Sequence, residues 1–179
     1  AKKDAAKAAK NATKTATKKA AAKTVVPKRR KVDWAAKAAK LTNAKKAALR
    51  NEASAPQLAK LGDAAPTGEQ WIHEVKWDGY RLVSTIVDGK VRIWSRNAIE
   101  WTDKVPELRA ALEQLGLRSG AFDGELIAGR GTQADFNLLQ ATLSGEQQGA
   151  LAYVLFDVLH VDGIDLRQGP LLARKSRLE

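Results

Sequence analysis

The sequence has no cysteine and no methionine, and only two histidines, two tyrosines and three phenylalanines among 179 residues. Without cysteine there is no disulfide, no thiolate nucleophile and no Cys-ligated zinc, a composition that fits the cytoplasm. His73 and His160 are too few and too far apart to suggest a metal site, and each reads as a strand or loop residue. No apolar run approaches the ~18 residues a membrane span requires, and the charged N-terminus lacks the apolar segment of a signal peptide. A soluble, cytoplasmic protein without membrane partners is expected. The lack of methionine in a chain that begins with Ala1 fits a piece of a longer gene product.

Acidic residues are scarce in one part of the chain only. Residues 1–60 contain 18 Lys and Arg against 3 Asp and Glu, whereas residues 61–179 contain 13 against 17. The pI near 10.0 therefore describes the first part. Residues 1–54 read as a Lys/Ala-rich segment that is disordered when free, because large apolar residues are almost absent before Val25 and burial cannot offset the entropy of ordering. Lys18, Lys19, Lys28, Arg29, Arg30 and Lys31 are candidate contacts to nucleic acid phosphates, which such tails bind without reading bases. A solvated interdomain linker accounts for the same composition.

The most informative stretch is KWDGYR, Lys76 to Arg81. By chance K-x-D-G-x-R should arise in a chain of this length on the order of a few times per thousand. A lysine becomes a nucleophile when its ammonium loses a proton, which adjacent positive charge and desolvation promote, and Arg81 is the neighbour expected to lower the Lys76 pKa. Trp71 to Lys76 alternates apolar and polar residues as a half-buried strand does, and Asp78-Gly79 reads as a turn whose glycine supplies positive φ. The plainer reading is a hairpin turn flanked by solvated edge charges.

Downstream, Arg81–Asp88 and Lys90–Ser95 read as strands joined at Asp88-Gly89, with Arg96 directly after the second. Val105, Leu108, Leu112 and Leu115 form a helical stripe stopped by Gly116. A third strand begins near Ala121 and carries Asp123-Gly124-Glu125. A short helix covers about 134–143, and the apolar run Leu151–Leu159, which contains Phe156 and Asp157, is long enough for a fully buried strand. Trp71, Trp77, Trp94 and Trp101 read as packing residues, with Trp77 bordering the cleft. Charged groups at successive strand ends suit a nucleotide cleft: arginines hold phosphate, carboxylates hold ribose hydroxyls or Mg²⁺, and an aromatic ring stacks on a base. Taken singly, Arg96 could be a hairpin-end charge, Glu125 an exposed strand residue and Phe156 plain core.

Their joint order, with the phrase WIHEVKWDGYRL from Trp71 to Leu82, resembles the adenylation domain of ATP-dependent DNA ligases of the bacterial DNA ligase D type. These enzymes belong to the covalent nucleotidyltransferase superfamily. The resemblance covers about residues 55–179. It implies an α+β nucleotidyltransferase (ATP-grasp-like) fold of antiparallel sheets with flanking helices, incomplete at its C-terminal end. It further implies that Lys76 attacks the α-phosphate of ATP to give lysyl-AMP, with Mg²⁺ or Mn²⁺. Glu74 would sit against adenine through main-chain contacts, Arg81 and Arg96 would contact ribose or phosphate, Glu125 would hold the ribose near the metal, and Phe156 would stack on the base. Asp78 would shape the turn and the local charge. Implied partners are DNA nicks or double-strand ends, phosphoesterase and polymerase regions of the same polypeptide and a DNA-end-binding protein, in a nucleoid-associated setting.

Two departures qualify the likeness. The family commonly has Arg-Asn-Gly where this chain has Arg96-Asn97-Ala98, a strained choice if the third position needs positive φ. The chain also lacks the later Glu-Gly motif, the paired-lysine motif and the OB-fold, so it is expected not to complete ligation alone. Pro170–Glu179 opens like a helix with Pro near its first turn. An RNA ligase, a capping-type enzyme and a non-catalytic lysine-rich DNA-binding protein remain open on the residues alone.

Overall fold

Asp88 and Gly89 both adopt left-handed backbone, with φ of 50° and 76°. That geometry suits a two-residue hairpin turn and matches the right-handed twist of the strands it joins. These are β2, Tyr80–Val87, and β3, Lys90–Ser95, paired from Val87↔Lys90 to Leu82↔Ser95. In this computed structural model, which describes residues 32–53 and 55–178, the hairpin forms one edge of a six-stranded antiparallel sheet. Strand β4, Ser119–Ala128, pairs along the full length of β2, and β5, Leu151–Val161, pairs along β4. Two short strands, β1 (Lys45–Lys46) and β6 (Ile164–Asp165), complete the order β1-β6-β5-β4-β2-β3. Helices α1 (Trp34–Ala38), α2 (Pro106–Glu113), α3 (Phe136–Ser144) and α4 (Leu171–Lys175) flank it, so the α+β class holds.

Side chains alternate along a strand, and the two faces of this sheet differ accordingly. Leu82, Ile86, Phe122 and Leu126 belong to the main core with Val105, Leu112 and Leu139. The alternate positions, Arg81, Val83 and Thr85 on β2 with Ala121, Asp123 and Glu125 on β4, face the other way. There the end with Arg81 and Glu125 is charged, and the other end carries Thr85 and Ala121 beside His160. The core is assembled from residues distant in sequence, as a meander with long connections requires.

Several expectations change in detail. Trp71–Lys76 forms no strand and pairs with none among the described residues, and Trp71, Ile72 and Val75 are exposed. A period-2 pattern needs a neighbouring strand to become a ladder. Trp71 is therefore not a packing residue, whereas Trp94 is buried with Nε1 donating to Thr85 Oγ1 at 3.3 Å, and Trp101 packs on Tyr80 at 4.9 Å between ring centroids. Strand β5 is fully buried only at Val158, His160 and Val161. Helix α2 starts at Pro106 and ends at Glu113, too short to cover β5, and leaves an open groove between Leu108, Leu115 and Leu155. The helix expected at 134–143 is a 3-10 turn, Gln133–Asp135, leading into α3. Pro170 stands at the N-cap position of α4, beside its first turn as expected, without a side-chain capping hydrogen bond.

The folded unit begins at Asp33, earlier than the change of composition near residue 54 suggests. Asp33 caps α1 by accepting from Ala36 N–H at 2.8 Å, Ala38 and Leu41 enter the core, and β1 pairs with β6. Buried His160 donates from Nε2 to Ala47 O at 3.0 Å and so ties the segment after β1 to the sheet. The candidate nucleic-acid contacts at 18–31 lie outside the described residues. Among the described residues no helix is long and apolar enough to cross a membrane.

Candidate active site

Gly79 explains how the lysine segment reaches the sheet. Its φ is not positive, contrary to expectation, and it is needed instead for close approach: a Cβ there would lie 2.1 Å from Leu126 O. Asp78 N–H donates to Gly131 O at 3.0 Å, and a Cβ at Gly131 would lie 2.8 Å from the Trp77 ring. Two glycines thus allow the chain from Lys76 to Tyr80 to lie against the end of β4 and the loop after it. Trp77 packs on that loop beside the open face. Lys76 is delivered to the charged end of the sheet, near Glu125.

The electrostatics there differ from the sequence expectation. The Lys76 side chain is 84% exposed and donates to Asp78 Oδ1. That hydrogen bond, then the Asp78 charge, raises the ammonium pKa above its ordinary value, with a smaller contribution from Glu125. Arg81 does not depress it, because its guanidinium is turned to Asp123: Nε to Oδ1 is 3.0 Å and Nη2 to Oδ2 is 2.7 Å. A bidentate pair of this kind has fixed geometry, and Asp123 is buried. Asp78 instead supplies the local negative charge beside the lysine.

Glu125 lies directly across the β2–β4 ladder from Arg81. It is half-buried, and burial pushes its carboxyl pKa up against the opposing pull of Arg81, the Gly79 main chain and Lys76. It makes no ion pair with the described residues. Phe156 sits where the β4–β5 register slips: Asp123 pairs with Asp157 and Gly124 with Leu155, leaving Phe156 as the extra residue. A bulge re-aims its side chain. The ring centroid is 5.3 Å from the Arg81 guanidinium carbon.

Glu74 pairs with Lys175 of α4, which also donates to Phe156 O at 2.6 Å. Arg96 stands apart from this cluster. It is exposed, without an ion pair among the described residues, on the tip of a turn closed by Ala98 N–H to Ser95 O at 2.9 Å. The Leu82↔Ser95 register places that turn at the same end of the sheet as Arg81. Ala98 has φ of 61°, the conformation for which glycine is favoured.

Lys76, Arg81, Glu125 and Phe156 are therefore brought to one end of one sheet face, with Glu74 linked to them and Arg96 at the adjoining strand end. Sequence reasoning does not select the partners that fix them: Asp123, Asp157, Arg174 and Lys175. Asp123 and Asp157 stand inside the quoted DGE and Phe-Asp stretches, whereas Arg174-Lys175 carries only a helix-end signal. A separate cavity of about 290 Å³ lies between residues 47–53 and Val83, Thr85 and His160, and contains none of the lysine-cluster residues. Among the described residues no three His, Cys, Asp or Glu are grouped to hold a metal ion.

The arrangement offers an amine nucleophile, a fixed guanidinium, a half-buried carboxylate without an ion pair and an aromatic ring, a set suited to a nucleotide. Comparison with known proteins places the chain in a family. The multifunctional non-homologous end joining protein LigD of Pseudomonas aeruginosa is 44% identical over 126 residues, 70% of this chain and 15% of that protein. The SPbeta prophage-derived DNA ligase-like protein LigB of Bacillus subtilis is 34% identical over 113 residues, 62% of this chain and 40% of that protein. The ligase domain of M. tuberculosis LigD overlays with a TM-score of 0.48 at 28% identity, covering 59% of this chain and 34% of that one. The chain spans well under half the length of each of these relatives. The family described as ATP dependent DNA ligase domain matches residues 36–179, and the chain belongs to that family.

Proposed function

We propose that this chain is the lysine-adenylating part of an ATP-dependent DNA ligase. The observation that carries the reading is the convergence of Lys76, Glu125, Arg81 and Phe156 on one end of the sheet, in a chain whose family is ATP dependent. The Lys76 ammonium first gives a proton to water, a loss that its pairing with Asp78 opposes. The Nζ lone pair then attacks the α-phosphorus of ATP, forming a P–N bond as the P–O bond to the β-phosphate breaks and pyrophosphate leaves, and Nζ sheds its second proton to water. The guanidinium of Arg81 and that of Arg96 face the ribose and phosphate oxygens and offset the charge developing there.

Phe156 receives the base by stacking, and the Glu74 main chain lies beside it. Glu125 holds the ribose hydroxyls. It also fits Mg²⁺ or Mn²⁺, since it is a half-buried carboxylate free of an ion pair, and such ions take one or two carboxylates with phosphate and water completing the shell. The metal, when bound, neutralises phosphate charge. The adenylate on Lys76 then serves to seal nicks or double-strand ends in DNA, as the names of the ligase relatives support. The cations at 18, 19 and 28–31 contact DNA phosphates, and the P. aeruginosa relative's name supports a role in non-homologous end joining; phosphoesterase and polymerase regions and an end-binding protein are the partners this reading adds.

The test is incubation of the chain and Lys76→Ala with ATP labelled on the α-phosphate plus Mg²⁺. Acid-labile label on the parent and none on the variant is expected; equal label on both would refute the assignment.

A further inference from the structure

We propose that Lys175, on α4, is a positioning residue that holds the base-binding wall of the nucleotide site together. The inference rests on the adenylation reading above and adds to it a residue outside the strand-end cluster. Two consecutive cations of α4 grip two consecutive residues of β5 at its bulge. Arg174 donates from Nε and Nη2 to the Asp157 carboxylate, both at 2.8 Å, and its side chain is only 13% exposed. That bidentate pair suffices to dock the helix. Lys175 does something different: its Nζ donates to Phe156 O at 2.6 Å, lies 6.0 Å from the Phe156 ring centroid and pairs with Glu74.

The Glu74 link matters because its segment has little else to hold it. Among the described residues, the main chain from Ile72 to Trp77 makes no main-chain hydrogen bond; the nearest are Trp71 N–H to Gly68 O and Asp78 N–H to Gly131 O. Glu74 lies midway along this untied stretch. Lys175 is thus the one described cation that fixes it, and it fixes it to the carbonyl of the same residue whose ring receives the base. Two cations lie near the Phe156 ring, Arg81 at 5.3 Å and Lys175 at 6.0 Å from its centroid. Removing the ammonium releases Glu74 from Phe156 while leaving the Arg174–Asp157 anchor in place. Base binding should suffer and the chemistry at Lys76 should not.

The experiment measures initial rates of Lys76 adenylylation against ATP concentration for the full chain, Lys175→Gln and Lys175→Arg, with thermal unfolding alongside. Loss of a charge-assisted contact should raise KM for ATP about tenfold in Lys175→Gln. The rate at saturating ATP should stay within about twofold of the parent, because uniform binding is lost. Lys175→Arg should recover most of the affinity, and Arg174→Gln should lower the unfolding midpoint more than Lys175→Gln does. An unchanged KM in Lys175→Gln, or a fall confined to the saturated rate, overturns the role given to Lys175 while leaving the adenylation reading intact. A parent chain that takes no label overturns that reading and this inference together.

Discussion

Lys76 is held as an ammonium by the residue two positions on. Asp78 raises its pKa by hydrogen bond and charge, so the neutral amine is the minor form in the free chain at neutral pH. Asp78→Asn removes the largest cause, the pKa falls, and at any fixed pH below it more amine is available. The rate of adenylylation at saturating ATP, followed between about pH 6 and 10, should therefore rise at lower pH in Asp78→Asn than in the parent. A shift toward higher pH would show that the pair seen here does not govern the nucleophile. Glu125 carries the opposite kind of information. Burial raises its carboxyl pKa, so whatever it contributes to stability is present below its unfolded pKa and lost as pH rises through the folded one. Glu125→Gln should unfold at a higher temperature than the parent at pH 7, the gap closing in acid, while losing adenylylation; calorimetry at two pH values checks this. Spacing makes Lys76, Arg81 and Glu125 legible in the sequence, but not their charges' partners. Arg81 finds Asp123 across 42 positions, a pairing set by strand register rather than by local pattern.

Among the elements, the hairpin at Asp88-Gly89 is the plainest to read, because its left-handed turn demands such residues and both strands alternate on either side. The segment Trp71–Lys76 alternates just as well and yet pairs with nothing described, since alternation states which residues share a face and not whether a neighbouring strand exists. Gly79 stands out in the sequence as a turn glycine, but its importance has another source: the missing Cβ makes room for Leu126 O, on a strand some forty residues further along the chain. Ala98 gives the converse case. The departure from Arg-Asn-Gly places an alanine at φ of 61°, so Ala98→Gly should relieve strain and stabilise the fold by about 1 kcal/mol, read as a higher denaturant midpoint with an unchanged slope. No gain, or a loss, would mean that the turn tolerates the side chain without cost. The bulge at Phe156 is invisible in the sequence, because a continuous apolar run gives no sign of where a ladder slips.

Across the whole molecule, composition divides the chain sharply, with the basic excess confined to residues 1–60. The fold does not respect that division. Trp34, Ala38 and Leu41 belong to the sheet-bearing unit although they stand among lysines, and three apolar residues in a Lys/Ala context are too sparse to announce a helix and an edge strand. The basic residues before Asp33 supply the charge proposed to meet DNA. Removing residues 1–31 should weaken binding to a nicked duplex and flatten the dependence of log affinity on log salt, measured by fluorescence anisotropy. An unchanged slope would assign DNA contact to the folded unit instead. The ligase family itself is legible because its identifying residues cluster at strand ends in a fixed order, so the lysine motif and the order of Arg96, Glu125 and Phe156 after it suffice. The clasp of α4 on β5 is not legible, since its arginine and lysine become informative only once they are seen against Asp157, Phe156 and Glu74.

The most direct measurement is peptide mapping by mass spectrometry of the chain after incubation with ATP and Mg²⁺, locating the adduct within the sequence. A single AMP on the peptide carrying Lys76, bonded to its side-chain nitrogen and absent from Lys76→Ala, is the predicted result. An AMP carried by any other lysine, and persisting in Lys76→Ala, would contradict the account at its centre.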